Sequence, residues 1–115
     1  MKTVSYTKHS DAGYVEPLAG IRQKTLVFGE RMLMAEFVLG RGSVLPGHSH
    51  HYEQTGYLVR GHIVLTIVQV RHDTRPGDSW CIPAGVSHGA EILEDSVAIE
   101  RFSPVRPDYI PQENT

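Results

Sequence analysis

Turn-forming residues divide this chain so closely that only short extended segments fit between them. β-Branched and aromatic residues come in runs bounded by Gly, Pro, Asp or Asn, as strands do, and no segment has convincing helical periodicity. Many short strands at close spacing predict an all-β sandwich or barrel. The predicted strands cover residues 21–28, 31–39, 54–59, 62–68, 70–74, 78–82, 88–93 and 96–102.

Glycine, proline and acidic residues mark the predicted turns between these strands. One joint is ambiguous, because Val68-Gln69 contains no turn-forming residue and residues 62–74 could equally form one bent strand. The other turns are predicted at Gly29-Glu30, Arg60-Gly61, Pro76-Gly77, Pro83-Ala84-Gly85 and Glu94-Asp95.

Length and charge limit what the chain can be. Its 115 residues, 40% of them hydrophobic, suit a single domain spanning 1–115, with polar or proline-bearing peripheral segments at 1–15 and 107–115. A net charge of −2 without a Lys/Arg-rich run argues against nucleic acid or an anionic membrane as a partner. Partners of these two kinds are therefore not expected.

Cysteine content and hydropathy predict where the protein works. The single cysteine, Cys81, excludes an internal disulfide, and its place in an apolar strand predicts a buried small side chain. No charged and then apolar leader opens the sequence, and the longest apolar-rich stretch, residues 63–70, is far shorter than the roughly twenty residues of a membrane helix. We therefore expect a soluble cytoplasmic protein.

Three side chains of metal-ligand type lie close together in the sequence, and a fourth follows later. His48 and His50 point the same way on an extended segment, because strand side chains alternate between faces, and Gln54 shares their parity. A neighbouring strand could complete the set with His88. Neutral imidazole is the commonest transition-metal ligand, so this spacing outlines a divalent-metal site.

Two alternatives accompany this interpretation. Paired histidines can be surface or hydrogen-bonded residues without a ligand, although the spacing and the flanking glycines favour a site. Glu53 competes with Gln54 for the fourth position, but its opposite parity predicts an outward side chain. The other histidines have no such company and are expected at solvent-facing or turn positions: His9, His51, His62 and His72.

The spacing of glycines and histidines resembles that of the cupins. Their first motif, G-x5-H-x-H-x3/4-E-x6-G, is matched by residues 42–61, and their second, G-x5-P-x-G-x2-H-x3-N, by residues 77–88. Gln54 stands where the motif usually has Glu, and Ile92 stands where Asn is common. The resemblance implies an RmlC-like cupin barrel, a double-stranded β-helix or jelly roll. It also implies one divalent ion, Zn, Ni, Mn or Fe, held by His48, His50, Gln54 and His88.

The last predicted strand places a carboxylate on the face that lines the barrel. Alternation puts Ala98, Glu100 and Phe102 on that face. A buried carboxylate is costly unless a cation, metal or substrate meets it, so Glu100 is a candidate general acid or base. Arg106 could close over the mouth and bind a substrate carboxylate in bidentate fashion. A surface ion pair between Glu100 and Arg106 is an equally open alternative.

The same tail resembles the KdgF-type cupins of pectin and alginate catabolism. His-Ser-His-x-x-Glu-Gln at 48–54 is followed by an acid-x-Phe-x-Pro-x-Arg pattern at 100–106. In that family a metal held by three His and a Gln, with an Asp, a Phe and an Arg, helps convert cyclic 4,5-unsaturated uronates to their open-chain keto form. The resemblance implies a metal-dependent sugar-acid isomerase or lyase-type enzyme with catalytic Glu100 and Arg106. It also implies substrate contacts from Phe102 and Arg106. Glu100 departs from the family's Asp, since its side chain is one methylene longer.

Other functions stay open at this point. Three-His centres in cupins also serve non-haem iron dioxygenases, and the chain could instead be a non-catalytic module that binds a small molecule. A homodimer is expected by resemblance to small cupins, and because Val97 and Ile99 on the outward face of the last strand need cover.

Overall fold

The computed structural model describes residues 3–111, which are almost entirely antiparallel β-structure, as predicted. The one helix in this part of the chain is a short 3-10 turn, and no helix there is long and apolar enough to cross a membrane. The elements are β1 (Val15–Leu18), β2 (Ile21–Phe28), β3 (Leu33–Leu39), β4 (Val44–His48), β5 (Glu53–Ile67), β6 (Val70–Thr74), β7 (Ser79–Ile82), β8 (His88–Ser103) and the 3-10 helix (Pro107–Tyr109).

Two long strands organise one curved sheet. β5 pairs with β7 and then with β6, while β8 pairs with β4, with β3 and, along its length, with β5. The main path through the eight-stranded sheet is β1-β2-β3-β8-β5-β6. Strands far apart on this path share one buried core, so the sheet curls upon itself. The core residues are Ile21, Leu39, Leu58, Ile63, Leu65, Ala90, Ile92 and Ala98.

Two predicted turns are wrong, because the long strands run through them. Arg60-Gly61 lies inside β5, and Glu94-Asp95 lies inside β8. The pairing of these strands shifts register around Arg60, which is how β-bulges absorb extra residues without ending a strand. Gly61 permits this, since its φ is +100° and a Cβ would lie 2.0 Å from Ser96 Oγ.

Val68-Gln69 does form a turn, so the ambiguous joint separates two strands. Both residues have positive φ, 49° and 66°, and they connect β5 to β6 as a two-residue hairpin loop. Such loops are normally built from Gly, Asn or Asp. The sequence carries no such signal here. The pairing of the two flanking strands imposes the conformation instead.

The sequence pattern does not reveal β1 or β4. Each contains a proline, Pro17 in β1 and Pro46 in β4, and each pairs with only one neighbouring strand. Edge strands tolerate proline because one side of their backbone needs no partner. Proline therefore makes an edge strand difficult to predict from local sequence pattern.

Two side chains lie differently from expectation. Cys81 is exposed, which contradicts the predicted buried position. Its neighbour Ile82 is fully buried and pairs with Gln54, so alternation along β7 turns Cys81 outward. Val97 is only 8% exposed within this single chain, so it does not itself require a partner's cover, and the homodimer stays a prediction.

The two predicted peripheral segments differ in their packing. Residues 3–13 are exposed and form no strand. Tyr109, at the end of the 3-10 helix, packs on Phe102 with ring centroids 5.2 Å apart, so the C-terminal segment covers one end of the barrel. Residues 1–2 and 112–115 of these segments lie outside the described residues.

Candidate metal centre

Three histidine rings converge at one end of the barrel. β4 ends at His48 and β8 begins at His88, and these two residues pair across the strands, while His50 lies in the loop that leads to β5. The ring centroids are 4.3 Å apart for His48 and His88, 5.0 Å for His50 and His88, and 5.7 Å for His48 and His50. One ring nitrogen of each residue lies within 4.8 Å of the others. The structure thus brings the three predicted residues together.

Backbone carbonyls orient two of these rings. His48 Nδ1 donates to Pro46 O and His88 Nδ1 donates to Val86 O, each at 2.9 Å. A carbonyl oxygen can only accept, so in the neutral rings Nδ1 carries the hydrogen and Nε2 keeps a free lone pair, the form that binds a metal ion. Burial lowers the pKa of His88 and of His50, which favours the neutral state that ligation needs.

Gln54 faces the histidines, as its parity predicts. Its side chain is 6% exposed and its Oε1 lies 2.7 Å from His50 Nε2, whereas Glu53 is exposed. The backbone N–H of Tyr52 donates to His50 Nδ1 at 3.3 Å, so ligation through Nε2 requires the ring hydrogen to move to Nδ1. Of the two neighbours, Gln54 is the one placed to supply a fourth ligand atom.

Glu100 lies behind Gln54 on β8 and is 9% exposed. Gln54 Nε2 donates to Glu100 Oε2 at 3.0 Å, and Trp80 Nε1 donates to Glu100 Oε1 at 3.2 Å. Burial raises the pKa of the Glu100 carboxyl to about 8, against the two hydrogen bonds, which favour the ionised form. Within the described part of the chain Glu100 forms no ion pair with Arg106, so the predicted alternative of a surface pair is absent there.

Trp80 is a site residue that the sequence interpretation missed. It lies in β7 with the inward parity of Ile82, and its indole covers Gly56 on the neighbouring strand. A Cβ at position 56 would lie 2.2 Å from the indole, so only glycine leaves room for the ring. The parity of Trp80 and the missing side chain at Gly56 were available signals, but only the register of β5 against β7 connects them.

Arg106 reaches the cavity from the segment after β8, as predicted, but its carboxylate partner is Asp108. Its guanidinium carbon lies 3.8 Å from the ring centroid of Tyr109, 4.9 Å from that of Phe102 and 5.0 Å from that of Tyr52. Nη2 donates to Asp108 Oδ2 at 2.8 Å. The sequence assigned roles to Arg106 and Phe102. It gave none to Tyr52, Tyr109 or Asp108, although Asp108-Tyr109 follows the tail that resembles the KdgF-type cupins, because these residues meet Arg106 only when the C-terminal segment folds over the barrel.

One cavity of about 520 Å³ joins these groups. The histidines, Gln54, Glu100 and Arg106 line its polar part, and a volume of this size suits a small metabolite. Much of the remaining wall is aliphatic and comes from Ile21, Leu39, Leu45, Ile63, Leu65 and Ile92.

The donor set fits a divalent metal ion. Imidazole nitrogens and an amide oxygen suit several ions, so the ligands do not select one metal. None of the donors carries a charge, and the double charge of the ion would therefore stay uncompensated by its ligands, which increases its Lewis acidity. The residues that would hold the ion are His48, His50, Gln54 and His88.

Known proteins share both the sequence pattern and the fold. The cupin domain family (Cupin_2) matches residues 35–99. The structure of KdgF from Halomonas sp. is similar over 94% of this chain and 100% of that chain, with 29% sequence identity and a TM-score of 0.88. No curated protein matches at a significant level.

Two further solved structures share the fold. An RmlC-like cupin from Shewanella frigidimarina is 23% identical with a TM-score of 0.86, over 96% of this chain and 100% of that chain. A variant of oxalate decarboxylase from Bacillus subtilis is 24% identical with a TM-score of 0.74, over 90% of this chain and 31% of that chain. At these identities the likeness establishes the fold alone. Since the family match covers more than half of the sequence and the barrel agrees with it, this chain belongs to the cupin domain family.

Proposed function

We propose that this cupin catalyses the ring opening and tautomerisation of a cyclic 4,5-unsaturated uronate or a related sugar acid. The observation that carries the proposal is Gln54, whose amide connects the histidine cluster to a buried carboxyl. Its Oε1 lies 2.7 Å from His50 Nε2, and its Nε2 donates to Glu100 Oε2 at 3.0 Å. Residues able to hold a metal ion and a carboxyl able to transfer a proton therefore lie side by side in the cavity, which supports the proposal. The likeness to the KdgF structure, at 29% identity, agrees with the resemblance of the tail at 100–106 to the KdgF-type cupins and so supports the proposal.

Substrate binding falls to Arg106 and Phe102 in this proposal. The guanidinium of Arg106 matches a carboxylate geometrically and electrostatically, and three aromatic rings hold it against the cavity. Phe102 lines the same cavity and offers an aromatic surface for the sugar ring. A divalent ion bound at the histidines would polarise a hydroxyl or carbonyl oxygen of the substrate.

Glu100 moves one proton in the proposed reaction. In its ionised form it removes the proton of the anomeric hydroxyl while the bond between the anomeric carbon and the ring oxygen breaks, which leaves an enolate on the former ring oxygen. The carboxyl then returns the proton to C4, and the enolate becomes a ketone. Substrate and product are isomers, so the reaction needs no oxidant, reductant or second substrate.

The direct test measures how fast the purified cyclic uronate opens with the metal-loaded protein and without it. Acceleration over the spontaneous reaction, with one solvent deuterium entering at C4 in heavy water, is the expected result. Glu100→Gln should lower kcat by about 100-fold, because general acid–base catalysis typically contributes that much. Arg106→Ala should mainly raise KM, because it removes the carboxylate contact.

Two exposed residues on β8 supply matched controls. Glu94→Gln and Arg101→Ala repeat the same kinds of substitution outside the cavity and should leave turnover unchanged. Opening no faster than in buffer would refute the proposal. Oxygen consumption by the Fe(II)-loaded protein during turnover would instead favour a dioxygenase.

A further inference from the structure

The Arg106 guanidinium is already bound by a carboxylate of its own chain. Nε donates to Asp108 Oδ1 at 3.3 Å and Nη2 donates to Asp108 Oδ2 at 2.8 Å. Both contacts use the edge formed by Nε and Nη2, which is one of the guanidinium edges that binds a carboxylate with two parallel hydrogen bonds. Arg106 forms no other ion pair within residues 3–111.

Both partners line the cavity, but they are held very differently. The Arg106 side chain is 14% exposed and is surrounded by the rings of Tyr52, Phe102 and Tyr109, so its position is restricted. The Asp108 side chain is 56% exposed and makes no further hydrogen bond within the described residues. Asp108 can therefore swing into solvent while Arg106 stays in place.

We propose that Asp108 determines specificity by competing with the substrate carboxylate for Arg106. The inference rests on the proposed function, in which Arg106 binds that carboxylate. Asp108 is only two residues away along the chain, so its effective concentration at Arg106 is high, and a free carboxylate in solution competes poorly with it. A ligand that is also anchored at the histidine end of the cavity gains a second attachment and displaces Asp108.

This competition selects against ligands that offer only a carboxylate. Cells contain many simple monocarboxylates, and an unoccupied guanidinium in an aromatic cavity would bind them indiscriminately. Every carboxylate that binds Arg106 must displace the Asp108 carboxylate, at the same electrostatic cost. A ligand that is also anchored at the histidine end of the cavity offsets this cost there. Asp108 thus lowers the affinity of Arg106 for ligands that bind only through a carboxylate, and this loss is what discriminates among carboxylates.

The proposal is tested with a ligand whose only polar group is a carboxylate. The probe is cyclohexanecarboxylate, and its uncharged amide is the companion ligand that cannot displace Asp108 by charge. Trp80 is the only tryptophan of the chain and lines the cavity, so its fluorescence reports binding. The proteins compared are the metal-loaded wild type, Asp108→Asn, and Asp11→Asn, which makes the same change on the exposed N-terminal segment.

Asp108→Asn should bind cyclohexanecarboxylate about tenfold more tightly than the wild type does, because a charged competitor has been removed. Asp11→Asn should bind like the wild type, and the amide should bind all three proteins equally. Adding Arg106→Gln to Asp108→Asn should abolish the gain. Unchanged or weaker binding of the carboxylate by Asp108→Asn overturns the proposal, because Asp108 would then merely position Arg106. A gain that persists without Arg106, or no binding by any protein, also overturns it.

This binding test and the kinetic test of the proposed reaction can fail independently of each other. If the wild type does not accelerate uronate opening but Asp108→Asn strengthens carboxylate binding through Arg106, only the proposed function is wrong. If the wild type turns over the uronate but Asp108→Asn leaves carboxylate affinity unchanged, only the competition is wrong.

Discussion

Burial of the Glu100 carboxyl couples the stability of the metal-stripped protein to pH. The pKa of this group is raised from 4.5 to about 8 in the folded chain, with burial as the largest cause. Between these two pH values the folded state holds a proton that the unfolded state has released. Stability due to this group is therefore fully present below about pH 4.5 and is lost as pH rises toward 8. Glu100→Gln removes the titration and should remove this loss.

The size of the effect follows from the two pKa values. Each pKa unit corresponds to about 1.36 kcal/mol, so the whole shift amounts to about 5 kcal/mol of unfolding free energy. Part of it falls above about pH 6.5, where the lowered pKa values of His50 and His88 change stability little. From about pH 6.5 to about pH 8 the wild type should lose between about 1 and 2 kcal/mol because of Glu100.

Urea unfolding of the chelator-treated protein measures this change. His50 and His88 have pKa values lowered by burial, so their contribution to stability rises with pH up to about their unfolded value and opposes that of Glu100 at lower pH. Both histidines are present in Glu100→Gln, so the difference between wild type and variant isolates the carboxyl. Glu94→Gln, an exposed change on the same strand, should follow the wild type.

Parallel stability curves for wild type and Glu100→Gln over this pH range would refute the reasoning. They would mean that Gln54 and Trp80, whose N–H groups donate to the carboxyl, stabilise the ionised form enough to cancel the cost of burial.

Two further predictions concern the neighbourhood of this carboxyl. Gly56→Ala should destabilise the fold by about 1–3 kcal/mol, because the new Cβ would lie 2.2 Å from the Trp80 indole; urea unfolding measures this, with Gly29→Ala, which meets nothing within 4 Å, as the control. Equal losses for the two alanine variants would contradict it. His88→Ala should reduce bound metal at least about tenfold by elemental analysis, because losing a ligand costs at least as much as losing a residue that only orients one. Exposed His72→Ala, which lies outside the cluster, should retain the metal. Full metal content in His88→Ala would place the ion elsewhere.

Much of the fold follows from local pattern, and the errors share one cause. The all-β class and most strand positions were predictable because alternation and turn residues are local signals. Arg60-Gly61 and Glu94-Asp95 were misassigned as turns because these signals cannot show that two long strands continue by pairing with each other through a bulge. Val68-Gln69 shows the converse, since strand pairing imposes a turn on residues that do not specify one.

The candidate site divides in the same way. Parity along one segment was enough to choose Gln54 over Glu53, and alternation along β8 placed Glu100 and Phe102 inside the barrel. Cys81 was predicted to be buried because its strand is apolar, but an apolar strand still has two faces, and local pattern does not say which of them is the inner one. That choice depends on the neighbouring strand.

Local pattern alone specifies the strand-rich fold class and the spacing of His48, His50, Gln54 and His88, because parity and turn chemistry act over a few residues. Tertiary structure decided which groups meet them: β7 delivers Trp80 to Glu100, and the C-terminal segment brings Asp108 to the Nε–Nη2 edge of Arg106. These contacts depend on strand register and on where a segment packs. Both are settled by burial and hydrogen bonding across the whole domain, which no local pattern contains.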